Sequence, residues 1–208
     1  MIGGRNDGRL NAAVAELAVL GDVAGYLVDV SEEASLRAFV ASAGEVDHVA
    51  STVGGAMGGG FATVSIDEVR RALEQKFFDN LRLAQAIQGK IREGGSLTFT
   101  GGTGGRPHTA SGAYLGNIGI VALAQSLASE LAPRVRVNVV APTWMDTPLW
   151  RDVPEADRDK TKAYFNQLIP LGRTAHIEEV ASTFLFLMQN GFITGQEIAV
   201  DGGVMLRV

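Results

Sequence analysis

Short runs of β-branched and apolar residues alternate along this chain with longer segments whose apolar residues recur every three or four positions. The runs "GYLVDV" (25–30), "DHVAST" (47–52), "SLTFT" (96–100), "VRVNVVA" (135–141) and "QEIAV" (196–200) read as strands. Helical periodicity covers 8–20, 32–43, 66–92, 112–132 and 177–190, with a less regular helical stretch at 155–167. The opening "MIGGR" reads as the end of one more strand. Ser31, followed by Glu32 and Glu33, suits a helix N-cap with acids on the helix dipole, and Ser65 with Glu68 spells a capping box. Such alternation predicts an α/β fold of βαβ units around a mostly parallel sheet. No internal repeat, low-complexity segment or interdomain linker interrupts it, so residues 1–208 are expected to form a single domain.

Composition narrows the function. Apolar residues make up 46% of the chain and charged residues 20%, the balance of a compact α/β protein. A net charge of -5 with scattered Lys and Arg offers no basic surface for nucleic acid, so none is expected as a partner. With no cysteine, disulfides and thiolate metal sites are excluded and a cytoplasmic location is expected. His48, His108 and His176 lack cluster spacing, so no metal site is expected. No apolar run approaches the roughly 20 residues of a membrane span, and no membrane partner is expected.

The order of segments resembles the short-chain dehydrogenase/reductase family over nearly the whole chain. "GRNDGRLNAAVAEL" is similar to that family's second strand end and following helix, and "YLVDVSEEASL" to its Asp-Val segment. "VRVNVVAPTWMDTP" resembles the end of its sixth strand, with Thr143 where glycine is usual, and "PLGRTAHIEEVASTFLFLMQNGFITGQEIAVDGG" resembles its C-terminal block. The resemblance implies a Rossmann-like, doubly wound sheet binding ligands at the carboxyl ends of its strands. It also implies NADP-linked hydride transfer between a carbonyl and an alcohol of a small-molecule substrate, in a homodimer or homotetramer paired through the helices at 66–92 and 112–132.

Three departures stand against it. The family's first strand and TGxxxGxG turn are missing from the chain, and with them the helix N-terminus that seats the diphosphate. That strand would be central, so either the remaining strands pair differently or the chain is an incomplete reading of a longer gene in which Met1 is internal. Secondly, the family's Asn, Ser, Tyr and Lys fall on Lys76, Gly101, Tyr114 and Ile118, so the tyrosine alone is kept. A lysine one turn after Tyr114 would favour its phenolate, whereas Ile118 packs as an apolar neighbour. Lys76 is the expected electrostatic substitute, reaching the cleft from the adjacent helix, and Thr100 or Thr103 the substitute hydroxyl. A solvated or subunit-facing Lys76 is equally compatible with the pattern. Thirdly, "ASTVGG" stands where the family has NNAG, keeping Gly54, and "GGAMGGG" (54–60) reads as structural because no GK[ST] follows it.

For the cofactor, the resemblance implies contacts from Arg5, Asn6, Asp29, Val30, Gly54 and Thr147. Arg5 occupies the place where an acid would hold the ribose hydroxyls of NAD, and its guanidinium suits a 2′-phosphate, hence NADP. In the variable substrate segment, Trp144, Met145, Leu149, Trp150 and Phe165 either line an apolar pocket or pack in the core. The alternative to an oxidoreductase is a binding or oligomerising protein that keeps the scaffold without redox chemistry.

Overall fold

The computed structural model describes residues 1–55 and 58–207. Its elements are β1 (Ile2–Gly4), α1 (Asp7–Leu17), β2 (Gly25–Leu27), α2 (Glu33–Ala43), β3 (Val46–Ser51), α3 (Ile66–Leu73), α4 (Asp79–Ile87), β4 (Ile91–Thr100), α5 (Ser111–Leu131), β5 (Val135–Pro142), α6 (Glu155–Leu168), α7 (Ile177–Gln189) and β6 (Glu197–Val200). This is the expected α/β architecture, with parallel strands flanked by helices. The predicted helix at 66–92 is broken in the middle, because Glu74–Phe78 winds as a π-turn between α3 and α4. Strand β4 starts earlier than the apolar run suggests. Gly94, at φ 81°, admits an irregularity after the Val46–Ile91 pair, and regular pairing resumes at His48–Ser96.

The strands fall into two sheets. β3-β4-β5-β6 form one, in that order and all parallel, and β1 pairs in parallel with β2 alone. Among the described residues no strand lies between β1 and β3, and the pairing has not rearranged to join them. Helix packing bridges the two sheets: Leu36 and Val40 of α2 share one core with Leu83 and Ile87 of α4, Phe99 of β4, Ile120 of α5 and Val137 of β5. β4 and β5 are buried along most of their length, as expected of central parallel strands.

Cap chemistry decides two boundaries. Ser65 closes the expected capping box, its hydroxyl accepting from the Glu68 N–H at 3.2 Å while Glu68 accepts from the Ser65 N–H at 3.0 Å. Ser31 does not cap α2. Its N–H and hydroxyl both donate to Asp29 Oδ1, at 3.0 and 2.6 Å, and Glu32 takes the N-cap position instead. The carboxylate two residues upstream outcompetes the helix for that hydroxyl.

On α5, glycines let other elements come close. A Cβ at Gly119 would lie 2.9 Å from Phe77, and one at Gly116 would lie 3.0 Å from Lys76 Cβ and Cγ. The π-turn therefore packs directly on the α5 backbone.

Candidate active site

The carboxyl ends of parallel strands gather the chemistry-bearing residues, since each strand there releases its chain into a loop or helix start. Tyr114 sits in the first turn of α5, half-buried, and its hydroxyl makes no hydrogen bond to another described residue. Asn117 ties this end of α5 to the loop after β4 by donating Nδ2 to the Gly102 carbonyl at 3.2 Å. Thr103 is the next residue of that loop, anchored by its N–H to Pro142 O at 2.9 Å. Its hydroxyl is buried without a partner. Thr100, by contrast, donates its hydroxyl to Ser51 O at 2.8 Å and so stitches β4 to β3. Of the two substitutes expected from sequence, Thr103 is the one whose hydroxyl is uncommitted.

Lys76 enters the same end of the sheet from the π-turn. Its stem lies on Gly116, and its nitrogen ends beside Gly54, whose Cβ position would be 3.2 Å from Nζ. Gly54 has φ 147°, so a side chain there would be strained as well as crowded. Among the described residues the Lys76 ammonium has no hydrogen bond or ion pair, and burial pushes its pKa down to about 8. The lysine is thus in the cleft rather than on a solvated face, but in this conformation it is not hydrogen-bonded to Tyr114.

Ile118, one turn after Tyr114 and on the same helix face, is 50% exposed. It does not pack against the sheet, because the face of α5 turned to the core carries Gly112, Gly116, Ile120, Leu123 and Leu127 instead. Gly101 could not take a side chain without movement, as its Cβ would meet Val139 Cγ1 at 2.7 Å.

The expected cofactor residues divide by role. Arg5 follows β1 on an exposed turn, and its charge helps hold the Asp29 carboxyl below the ordinary range, after the larger effect of the two Ser31 hydrogen bonds. Asn6 spends its side chain on the N-cap of α1, accepting from the Arg9 N–H at 2.9 Å. Val30 packs against the main core. Thr147 begins a short 3₁₀ turn at Pro148–Trp150. In the glycine run, Ala56 and Met57 lie outside the described residues, and Gly59 pairs with Ala110 at the start of α5. In the substrate segment, Trp144 stacks on Phe165 with ring centroids 5.8 Å apart, and both are core residues with Ile169 and Val204. Met145 packs in a neighbouring cluster and Leu149 is exposed, so this set mostly fills space rather than lining a cavity.

Sequence reasoning missed several participants. Thr143 and Ser111 carry buried hydroxyls without partners, at the end of β5 and the start of α5. A Cβ on Gly104 would lie 3.1 Å from Thr143 Oγ1, so Thr143 borders the loop that carries Thr103. Asn80 is fully buried beside the π-turn. Its position four residues after Lys76 was the available signal, because that spacing stacks two side chains on one helical face.

Comparisons with known proteins point to one family. A family model described as Enoyl-(Acyl carrier protein) reductase matches residues 2–205. The short-chain dehydrogenase/reductase fsr5 of Gibberella fujikuroi is 33% identical over 184 residues, covering 85% of this chain and 68% of that protein. Carbonyl reductase family member 4 of Xenopus laevis is 29% identical over 209 residues, covering 95% and 86%. Among solved structures, a small-chain dehydrogenase in complex with NADPH superposes with a TM-score of 0.83 at 29% identity, covering 92% of this chain and 93% of that one. A match running from β1 to the residues after β6, on a parallel sheet with Tyr114 at the carboxyl end, places the chain in the short-chain dehydrogenase/reductase family of oxidoreductases.

Proposed function

We propose that this chain carries out NADP-linked interconversion of a carbonyl and an alcohol, with Tyr114 as proton donor. The observation that carries the reading is that two hydroxyls without a hydrogen-bond partner among the described residues, Tyr114 Oη and Thr103 Oγ1, lie on segments joined by the Asn117–Gly102 hydrogen bond. A substrate oxygen there would accept from both. A buried unpartnered hydroxyl costs about 1–3 kcal/mol, which binding of that oxygen would offset. Lys76 supplies positive charge on the same side of the sheet, where it can stabilise negative charge that develops on a substrate oxygen. Thr143 and Ser111 add two further hydroxyls that bias the site toward a substrate with more than one oxygen.

The residues present fit one end of the nucleotide. The Arg5 guanidinium, exposed and without an ion pair within 4.0 Å among the described residues, suits a 2′-phosphate, and NADP is preferred to NAD on that ground. That a structural neighbour is described as an NADPH complex, and is matched over 93% of its length, supports the same choice. The described residues include no TGxxxGxG turn of the kind that seats a diphosphate. When bound, the nicotinamide would supply or accept the hydride. The chain's own residues hold the substrate oxygen at Thr103 and Tyr114 and move the proton at Tyr114 Oη.

The test is NADPH-dependent turnover across a panel of ketones and hydroxyketones for Tyr114→Phe and Thr103→Val. Tyr114→Phe should lower turnover by about 100-fold or more, the usual scale for a general acid. Thr103→Val should raise KM more than it lowers kcat. Equal turnover in wild type and Tyr114→Phe would discard the catalytic reading in favour of a scaffold that binds without redox chemistry.

A further inference from the structure

We infer that Asn80 is the positioning residue for Lys76, fixing through a single side-chain amide both the backbone from which the lysine departs and the loop its nitrogen reaches. The inference rests on the reading that Lys76 works in the cleft. Asn80 is 1% exposed. Its Nδ2 donates to Lys76 O at 2.6 Å and to Val53 O at 3.1 Å, while its Oδ1 accepts from Ser51 Oγ at 2.6 Å. Val53 immediately precedes Gly54, the residue beside the Lys76 nitrogen. The path therefore closes on itself: lysine backbone, lysine side chain, Gly54, the Val53 carbonyl, the Asn80 amide, and back to the lysine backbone.

The partners also fix which way the amide faces. Two carbonyls can only accept, so the NH₂ must face them, and the oxygen is left for the Ser51 hydroxyl. Aspartate would set an oxygen against both carbonyls, and an aliphatic residue would remove a donor from each carbonyl and the acceptor of the Ser51 hydroxyl. The π-turn adds the reason an anchor is needed: Glu74–Phe78 departs from the α-helical hydrogen-bond ladder, so the direction of the Lys76 side chain depends on what holds that turn. The ionisable groups around the lysine do not substitute for Asn80. On its own segment Glu74 and Asp79 are both engaged by Arg82, α5 carries Tyr114 two residues before the Gly116 on which the lysine stem lies, and the exposed first turn of α3 holds Asp67 and Glu68. The depressed pKa of Lys76 is a consequence of burial alone, and it survives only while the side chain is held across Gly116.

The chain has four lysines, Lys76, Lys90, Lys160 and Lys162, so the pH dependence of acylation by acetic anhydride can be followed at each by mass spectrometry. In the wild type Lys76 should titrate near 8, below its ordinary value of 10.5. In Asn80→Leu, its titration should move upward by about one unit or more, a tenfold change in the protonation equilibrium, with the other lysines unchanged. Ser51→Ala, which leaves both carbonyl contacts but frees the amide oxygen, should move it the same way by less. Turnover should split likewise: Asn80→Leu lowers kcat in the wild type but not further in a Lys76→Gln background. An unmoved Lys76 titration in folded Asn80→Leu overturns the inference. Should that variant not fold, an unmoved titration in Ser51→Ala does so. If instead Lys76→Gln turns over normally while Asn80→Leu still shifts the titration, Asn80 positions the lysine and the catalytic role of Lys76 is what fails.

Discussion

Lys76 is expensive where it stands. A lysine whose pKa falls from 10.5 to about 8 on folding binds fewer protons folded than unfolded between those values, so its contribution improves as pH rises through that window. Below pH 8 its full desolvation cost is present. Lys76→Met should therefore stabilise the fold at pH 7 by about 1–3 kcal/mol while lowering turnover, and the stability gain should vanish by about pH 10.5. Thermal melts of both proteins across pH 6–11 test this, and a destabilised Lys76→Met at pH 7 would mark the lysine as structural. Ile118 presents the opposite case. Since the side chain is half exposed, Ile118→Lys buries no charge, and the melting temperature should move by no more than a surface substitution does, within about 0.5 kcal/mol. Placed one turn from Tyr114, the new ammonium should increase ketone reduction by up to about tenfold, a barrier change of about 1.4 kcal/mol. A rate unchanged at every pH would show that charge at this position does not reach Tyr114.

The element scale shows what sequence patterning could and could not carry. Helices α5 and α7 were legible because their apolar periodicity and the packing that selects it are the same fact, and β5 was legible as a buried strand for the same reason. The π-turn was not, because Glu74–Phe78 keeps helical composition and departs only in hydrogen bonding. Ser31 misled for a related reason: one hydroxyl near both a helix start and a carboxylate has two destinations, and composition does not rank them. Tyr114 and Lys76 are picked out by counting from a family pattern, while the Asn80 amide is engaged by Ser51 and Val53, far away in sequence. Element α7 also carries a pH prediction. Glu179 accepts two hydrogen bonds from Arg173, at 2.8 and 2.7 Å, and one from the His176 N–H at 2.8 Å, and these hold its pKa down to about 2. A carboxyl depressed on folding stabilises above its unfolded pKa near 4.5 and loses that contribution as pH falls toward 2. Glu179→Gln should therefore show a shallower loss of stability between pH 4.5 and 2 than the wild type in acid-unfolding curves, with lower stability at pH 7.

Across the whole molecule, apolar side chains stand exposed on the helices that the family resemblance assigns to subunit contacts: Ile66 on α3, Phe78 in the π-turn, and Leu115 and Ile118 on α5. Their burial in a symmetric dimer would remove this apolar surface from water. Light scattering should report a mass above the 21.9 kDa of one chain, and Phe78→Glu with Leu115→Glu should return it to that value. A wild type monomeric at working concentrations would remove this face from consideration. The break in the sheet has a consequence of another kind. With β1 bonded to β2 alone among the described residues, the first thirty or so residues are expected to open more readily than the ladder from β3 to β6. Arg5 and Asp29 both ride on that patch. Amides of β1 and β2 should exchange with solvent deuterium well before those of β4 and β5, and NADPH should slow the former and leave the latter alone. On the proposed reading, nucleotide affinity is in part the energy of closing a loosely held region, so a protein of unchanged melting temperature would gain or lose its cofactor through substitutions confined to α1.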